Sequence, residues 1–131
     1  MNPKISDFGW SNYFSTDENR ESLCGTYDYM AFEIFKGEPQ TLKTDIWALG
    51  IILYEFFHKR SPFGSRNMPD IIKKIKNPEK YLLFDDHLCP KDIQLLIASI
   101  LKSEPTERPD IHQIMEHSIF KGYDPKEPLK N

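Results

Sequence analysis

Cysteine is scarce in this sequence: two thiols, Cys24 and Cys89, in 131 residues. Two thiols can build neither a disulfide scaffold nor a four-cysteine zinc site, so a reducing compartment, cytoplasmic or nuclear, is expected. Long apolar runs are lacking too. The longest, Ile46 to Phe57, is interrupted by Gly50 and Glu55 and falls short of the ~20 residues that a membrane span needs. The opening residues MNPKISD carry no basic stretch leading into an apolar one, so no secretory signal is expected. Neither sign of charge dominates: 17 Lys and Arg against 20 Asp and Glu leave a net charge of -3. That balance offers no electrostatic footing for nucleic acid or for an anionic membrane. The six glycines, at 9, 25, 37, 50, 64 and 122, nowhere form G-x-G-x-x-G. What is present, 39% hydrophobic and 13% aromatic residues, suffices for one domain with a core and argues against disorder.

Residues 4–7 alternate polar and apolar and are expected to form at most one short strand. WSNYFSTDENRESL, from Trp10 to Leu23, is polar without a sustained period and predicts a loop. Glu33 to Lys36 predicts a single helical turn. The clearest element begins at Thr44, expected as its N-cap, with Asp45 placed against the positive end of the helix dipole. IWALGIILYEFF (46–57) is apolar at nearly every position; a helix apolar all round belongs inside a protein. A second helix is expected to start at Pro69, with Ile71, Ile72 and Ile75 on one face. A third starts at Pro90, where Ile93, Leu96, Ile97, Ile100 and Leu101 follow the i, i+3, i+4, i+7, i+8 spacing of an amphipathic stripe. Asp110 with Gln113 forms a D-x-x-Q start of capping-box type, and Ile111, Ile114, Met115 and Ile119 predict a last amphipathic helix. The coarse reading is a mostly α globule around a buried central helix, with a frayed polar tail over 121–131.

The motifs come in a telling order. Asp7-Phe8-Gly9 is followed by CGTYDYMAFE (Cys24 to Glu33), DIWALG (Asp45 to Gly50), SPF (Ser61 to Phe63) and ERP (Glu107 to Pro109). This succession resembles the C-terminal lobe of a eukaryotic protein kinase domain, over residues 1–120. Asp-Phe-Gly-Trp-Ser followed by Leu-Cys-Gly-Thr looks most like the Aurora branch of the Ser/Thr kinases. The resemblance implies roles residue by residue. Asp7 matches the acid that holds the Mg2+ bridging the phosphates of ATP, a hard oxygen on a hard cation. Phe8 matches the aromatic whose packing separates active from inactive states, with core packing as the plainer account, and Gly9 the hinge beside it. Ser22 matches an activation-loop phosphosite, where a phosphate would add nearly two negative charges and need an arginine cluster; the unmodified loop serine is the plainer account. Arg20, two positions earlier, fits loosely the basic preference of Aurora-like kinases. Gly25 and Thr26 match the floor under the substrate residue, and threonine there resembles Ser/Thr kinases. Glu33 and Arg108 match a structural ion pair, and Asp45 the central-helix acid that anchors the catalytic loop. Trp47 and Gly50 are expected as core and close-packing residues.

Two other features carry less. Cys24 beside Ser22 invites a redox reading, but a thiol reacts only when its pKa is lowered. His112 and His117 in HQIMEH stand five apart and diverge by roughly 140° on a helix, unlike zinc-protease pairs four apart; a solvated surface accounts for them.

Measured against the resemblance, several parts are missing from these 131 residues. There is no glycine-rich loop, no phosphate-clamping lysine on an early strand, no glutamate to pair with it and no H-R-D-x-x-x-x-N loop. The tripeptide HKR at 58–60 carries no aspartate. Phe32 stands where Ala-Pro-Glu has its proline, and Ser61 where Pro-Pro-Phe has its first. Without clamp and base, neither positioning nor proton transfer is available, and the chain alone is expected to be inactive. The implied cofactors, ATP and Mg2+, belong to the complete domain. Expected partners are protein substrates or regulators, with no nucleic acid and no membrane. In the family, the helix and catalytic loop before Asp-Phe-Gly cover one side of the central helix. Here that side is expected to face water and to promote self-association. A kinase fragment whose catalysis belongs to a longer product is the first reading. A non-catalytic remnant acting as a protein-binding module is the alternative.

Overall fold

A computed structural model describes residues 4–9, 11 and 27–122. Residues 4–7 form no strand, which the expectation of at most one allows: they are exposed and irregular, and no strand exists among the described residues to pair with them. A lone strand leaves its backbone groups without partners. The predicted loop over 10–23 lies outside the described residues apart from Ser11, as does the tail from 123.

After a 3-10 turn at Tyr27–Tyr29, which was not foreseen, the single turn α1 spans Phe32–Phe35. The central helix α2 spans Leu42–His58 and begins earlier than predicted. Thr41, not Thr44, is its N-cap: the Thr41 hydroxyl accepts from the Lys43 amide at 3.1 Å, and Thr44 Oγ1 accepts from the Thr41 amide at 3.1 Å. Two threonines three residues apart offer the same capping chemistry, and the pair is used reciprocally.

The far end of α2 is closed by Lys59 in the left-handed region, φ 56°, with its amide bonded to the Glu55 carbonyl. A side chain there costs roughly 1–2 kcal/mol, which glycine avoids. Lys59→Gly is therefore expected to raise stability by about 1 kcal/mol, read as a higher urea midpoint. An unchanged or lowered midpoint would show that the Lys59 amine over the Phe56 ring, 5.1 Å from its centroid, matters more than the strain.

Helix α3, Met68–Lys76, starts one residue before the predicted Pro69, because Asn67 is the cap: its Oδ1 accepts from the Asp70 amide at 2.9 Å. Ile71 and Ile75 are buried, and Ile72 is half-buried. The short α4, Pro78–Tyr81, was not anticipated. Helix α5, Lys91–Ile100, carries its predicted stripe inward: Ile93, Leu96, Ile97, Ile100 and the following Leu101 are all buried. Helix α6, Ile111–Met115, starts at the predicted capping box, Asp110 and Gln113 exchanging side-chain-to-amide bonds at 2.9 Å each. It is shorter than expected. Ile114 is buried, but Ile111 and Met115 are 46% and 49% exposed, and Ile119 sits in a separate 3-10 turn, Ser118–Phe120.

Two apolar clusters meet on α2. Trp47, Ile51 and Tyr54 join Phe63, α3 and α5 in one; Ile46 joins Leu96, Ile100 and Ile114 in the other. Between them lies Gly50. A Cβ there would stand 2.6 Å from Ile100 Cγ2 and 2.7 Å from Leu101 Cδ2, so only glycine lets α2 and α5 approach this closely. The central helix is nevertheless not buried all round. Ile52 and Phe56 are 53% and 68% exposed.

Candidate functional site

Asp7 is one of two non-glycine residues with positive φ among the described residues, at 63°. Aspartate tolerates the left-handed region better than most residues, yet still at a cost, and such strain clusters where a side chain must be aimed. The turn is fastened locally. The Gly9 amide points to Asp7 Oδ1 at 3.4 Å, and the Phe8 carbonyl accepts from both the amide and the hydroxyl of Ser11, at 3.0 and 2.7 Å. The Asp7 carboxylate is therefore displayed on a tight turn, open to solvent. Phe8 is not packed: at 66% exposure it meets neither the core-packing account nor a docked regulatory position.

As a cation site the turn supplies one hard oxygen ligand. Mg2+ is commonly held by one or two carboxylates together with substrate phosphates and waters, so Asp7 fits as one ligand of that set. No group of three or more His, Cys, Asp or Glu capable of holding a metal exists among the described residues.

The second construction is the buried ion pair. Arg108 Nη1 and Nη2 donate to Glu33 Oε1 and Oε2 at 2.7 and 2.8 Å, both side chains all but solvent-free. The other donors are used as well: Nε to the Lys102 carbonyl at 2.8 Å, Nη1 to the Lys43 carbonyl at 2.9 Å, Nη2 to the Ser103 carbonyl at 3.0 Å. A guanidinium has five N–H groups, and every one is satisfied, which is what makes its burial tolerable. Its face lies over the Trp47 ring at 5.0 Å, and Trp47 in turn stacks on Phe63 with centroids 5.7 Å apart. Thr44 Oγ1 donates to Glu33 Oε1 at 3.1 Å, tying the start of α2 into the same network. Trp47 is core, as expected; its Nε1 finds no partner among the described residues. Burial alone would push the Glu33 carboxyl up, but its bonds to Arg108, a backbone amide and Thr44 outweigh this and hold it below the usual carboxylate range.

The third feature is a bare face of α2. Asp45, Leu49, Ile52 and Phe56 recur at spacings of four, three and four, so they share one side of the helix. Asp45, Ile52 and Phe56 are exposed and Leu49 is partly so. Asp45 thus stands at the edge of an uncovered apolar strip, where the resemblance puts the acid that anchors a catalytic loop.

One contact escaped the sequence reading: the Tyr29 hydroxyl donates to Glu55 Oε2 at 2.6 Å, pinning the 3-10 turn to α2. That bond to a carboxylate pushes the Tyr29 hydroxyl above its ordinary pKa. Nothing local in the sequence signals a pairing across 26 residues. Ser22, with Arg20, and Cys24, Gly25 and Thr26 lie outside the described residues.

Comparison with known proteins agrees with this layout. The model of the protein kinase domain family matches residues 1–120. The chain is 32% identical over 120 residues to serine/threonine-protein kinase ATG1 of Beauveria bassiana, covering 91% of this chain and 13% of that protein. It is 32% identical over 120 residues to serine/threonine-protein kinase nekl-2 of Caenorhabditis elegans, covering 92% and 33%. Aurora kinase of Schizosaccharomyces pombe is 36% identical over 120 residues, with the same 92% and 33% coverage. The chain therefore spans no more than a third of these relatives. The likeness is shared among three kinds of Ser/Thr kinase and does not single out the Aurora branch. Among the described residues no helix is long and apolar enough to cross a membrane. With 120 of its 131 residues matched by the family model and its buried Glu33–Arg108 pair in place, the chain belongs to the protein kinase domain family.

Proposed function

We propose that this chain is the C-terminal lobe of an ATP-dependent Ser/Thr protein kinase, serving phosphoryl transfer from Mg-ATP to protein substrates within a larger catalytic unit. The carrying observation is the strained, solvent-facing turn at Asp7, with its carboxylate bonded to the Gly9 amide. Asp7 would hold Mg2+ against the ATP phosphates, and the metal would supply charge neutralisation there. Glu33 and Arg108 keep α1 attached to the helical scaffold, and Gly25 and Thr26 would form the floor under a substrate residue. Ser22 is the site at which phosphorylation would act on that segment. Within the Ser/Thr kinases, the Asp-Phe-Gly-Trp-Ser and Leu-Cys-Gly-Thr stretches favour an Aurora-like kinase with targets rich in basic residues.

The 131 residues lack a catalytic base and a phosphate clamp, so the polypeptide alone is expected to give no transfer to a serine or threonine peptide and no heat on titration with Mg-ATP. The lobe reading is tested by a chimera in which residues 4–120 replace the matching stretch of the S. pombe Aurora kinase. The chimera is expected to phosphorylate a serine peptide, and Asp7→Asn in it to lose roughly a hundredfold or more in rate, in the range for removing one preorganised electrostatic contact. A folded but inactive chimera would overturn the reading.

The exposed Ile52 and Phe56 favour a second reading, a non-catalytic lobe that binds other proteins. An inactive but folded chimera, together with a defined protein complex of the 131-residue chain that Phe56→Lys abolishes, would establish it.

A further inference from the structure

His58 ends α2 with 8% of its surface exposed and both ring nitrogens engaged. The Asp85 amide lies 3.1 Å from Nε2, and a backbone amide only donates, so Nε2 is the acceptor and carries no proton. The proton of the neutral ring is therefore on Nδ1, which sits 3.2 Å from the Tyr54 carbonyl and donates to it. The ring lies flat on Tyr54, centroids 4.1 Å apart and planes within 9°, and Phe84 closes on it at 5.9 Å. Tyr54 contributes a parallel fastening, its hydroxyl donating to the Leu83 carbonyl at 2.6 Å. The connection from α4 towards α5 is thus held to α2 by two side-chain bonds. One of them exists only while Nε2 is bare.

We propose that His58 is an acid-sensitive latch on the segment 82–86. A proton on Nε2 would set an N–H against the Asp85 N–H, donor facing donor, and that bond would be lost. Each nearby carboxylate already has one oxygen engaged elsewhere. On α2, Glu55 is bonded to the Tyr29 hydroxyl at 2.6 Å, and the Lys59 amine lies over Phe56 at 5.1 Å. Just beyond, the Arg60 guanidinium stands over the Tyr54 ring at 5.8 Å and opposes a second positive charge. On the facing segment, Asp85 Oδ1 accepts from the His87 amide at 2.9 Å, and Asp86 Oδ1 takes the Lys91 amine at 2.8 Å. The buried Cys89 thiol follows, its pKa raised by burial, so it stays neutral across this range. Acid therefore favours the lifted state, in which Tyr54 and Cys89 lose their cover.

The test is hydrogen exchange of the 131-residue chain at pH 7.5 and 5.5, corrected for intrinsic exchange. A free histidine with pKa about 6.5 passes from about one-tenth to nine-tenths protonated over that interval, so protection of the Asp85 amide is expected to fall by up to about tenfold relative to the amides of 46–54. His58→Gln can offer an amide oxygen to the Asp85 amide and does not titrate. It is expected to show the same protection at both pH values, whether high or low. Exposed His87 remains in both proteins as an internal control. A wild-type ratio that does not change, or an equal fall in His58→Gln, would overturn the latch.

Discussion

Arg108→Ala is expected to leave the chain largely unfolded at 25 °C. Removing the guanidinium strands the Glu33 carboxylate in a site that is 2% exposed, and breaking a buried pair from one side costs about 3–5 kcal/mol. Ordinary domains have only about 5–15 kcal/mol in total. The carbonyls of Lys43, Lys102 and Ser103 lose their donor at the same time, each a further cost of about 1–3 kcal/mol if it remains buried. This distinguishes the site from a simple ion pair. Where only two charges face each other, an apolar replacement of both often restores stability. Here Glu33→Leu with Arg108→Met is expected to recover only part of the loss, and full recovery in urea melts would show the carbonyl bonds to be immaterial. The pair also sets an acid limit. The folded Glu33 carboxyl is held below its ordinary value, so its contribution is present above about pH 4.3, the ordinary glutamate value. It is lost as the pH falls through the lowered folded value.

The 131-residue polypeptide is expected to self-associate through the uncovered side of α2. Ile52 and Phe56 are more than half exposed on adjacent turns, with the partly exposed Leu49 beside them, and contiguous apolar surface of this kind drives association. Light scattering should find oligomers that shrink towards the monomer in Ile52→Lys/Phe56→Glu, with the helical circular dichroism retained. A monodisperse wild-type monomer with a sharp cooperative melt would refute this.

What the sequence disclosed follows the range of the interactions. The α5 stripe from Ile93 to Leu101 and the Asp110–Gln113 capping box are written within a few residues, and both are present. The start of α2 was misplaced by three residues because Thr41 and Thr44 are equivalent as local signals. The Glu33–Arg108 pair spans 75 residues, and no periodicity reveals it; it was legible only through the ordered motifs that resemble a known family. The Tyr29–Glu55 and His58–Asp85 bonds match no such motif and stayed hidden. Phe8 and Met115 misled in the opposite way: an apolar residue signals burial, but only folded neighbours decide whether a surface exists to receive it.

The absence of a side chain at Gly50 makes the centre of the lobe mechanically thin. On one side of α2 stands the open strip of Ile52 and Phe56; on the other, Ile100 and Leu101 press directly on the backbone at Gly50. Close-packed interiors are stiff and transmit strain rather than absorbing it. A load applied to the strip therefore crosses a single helix and arrives at α5, and through Ile100 at Ile114 of α6. The open strip and the contact with α5 are thus opposite faces of one helix, separated at Gly50 by backbone alone.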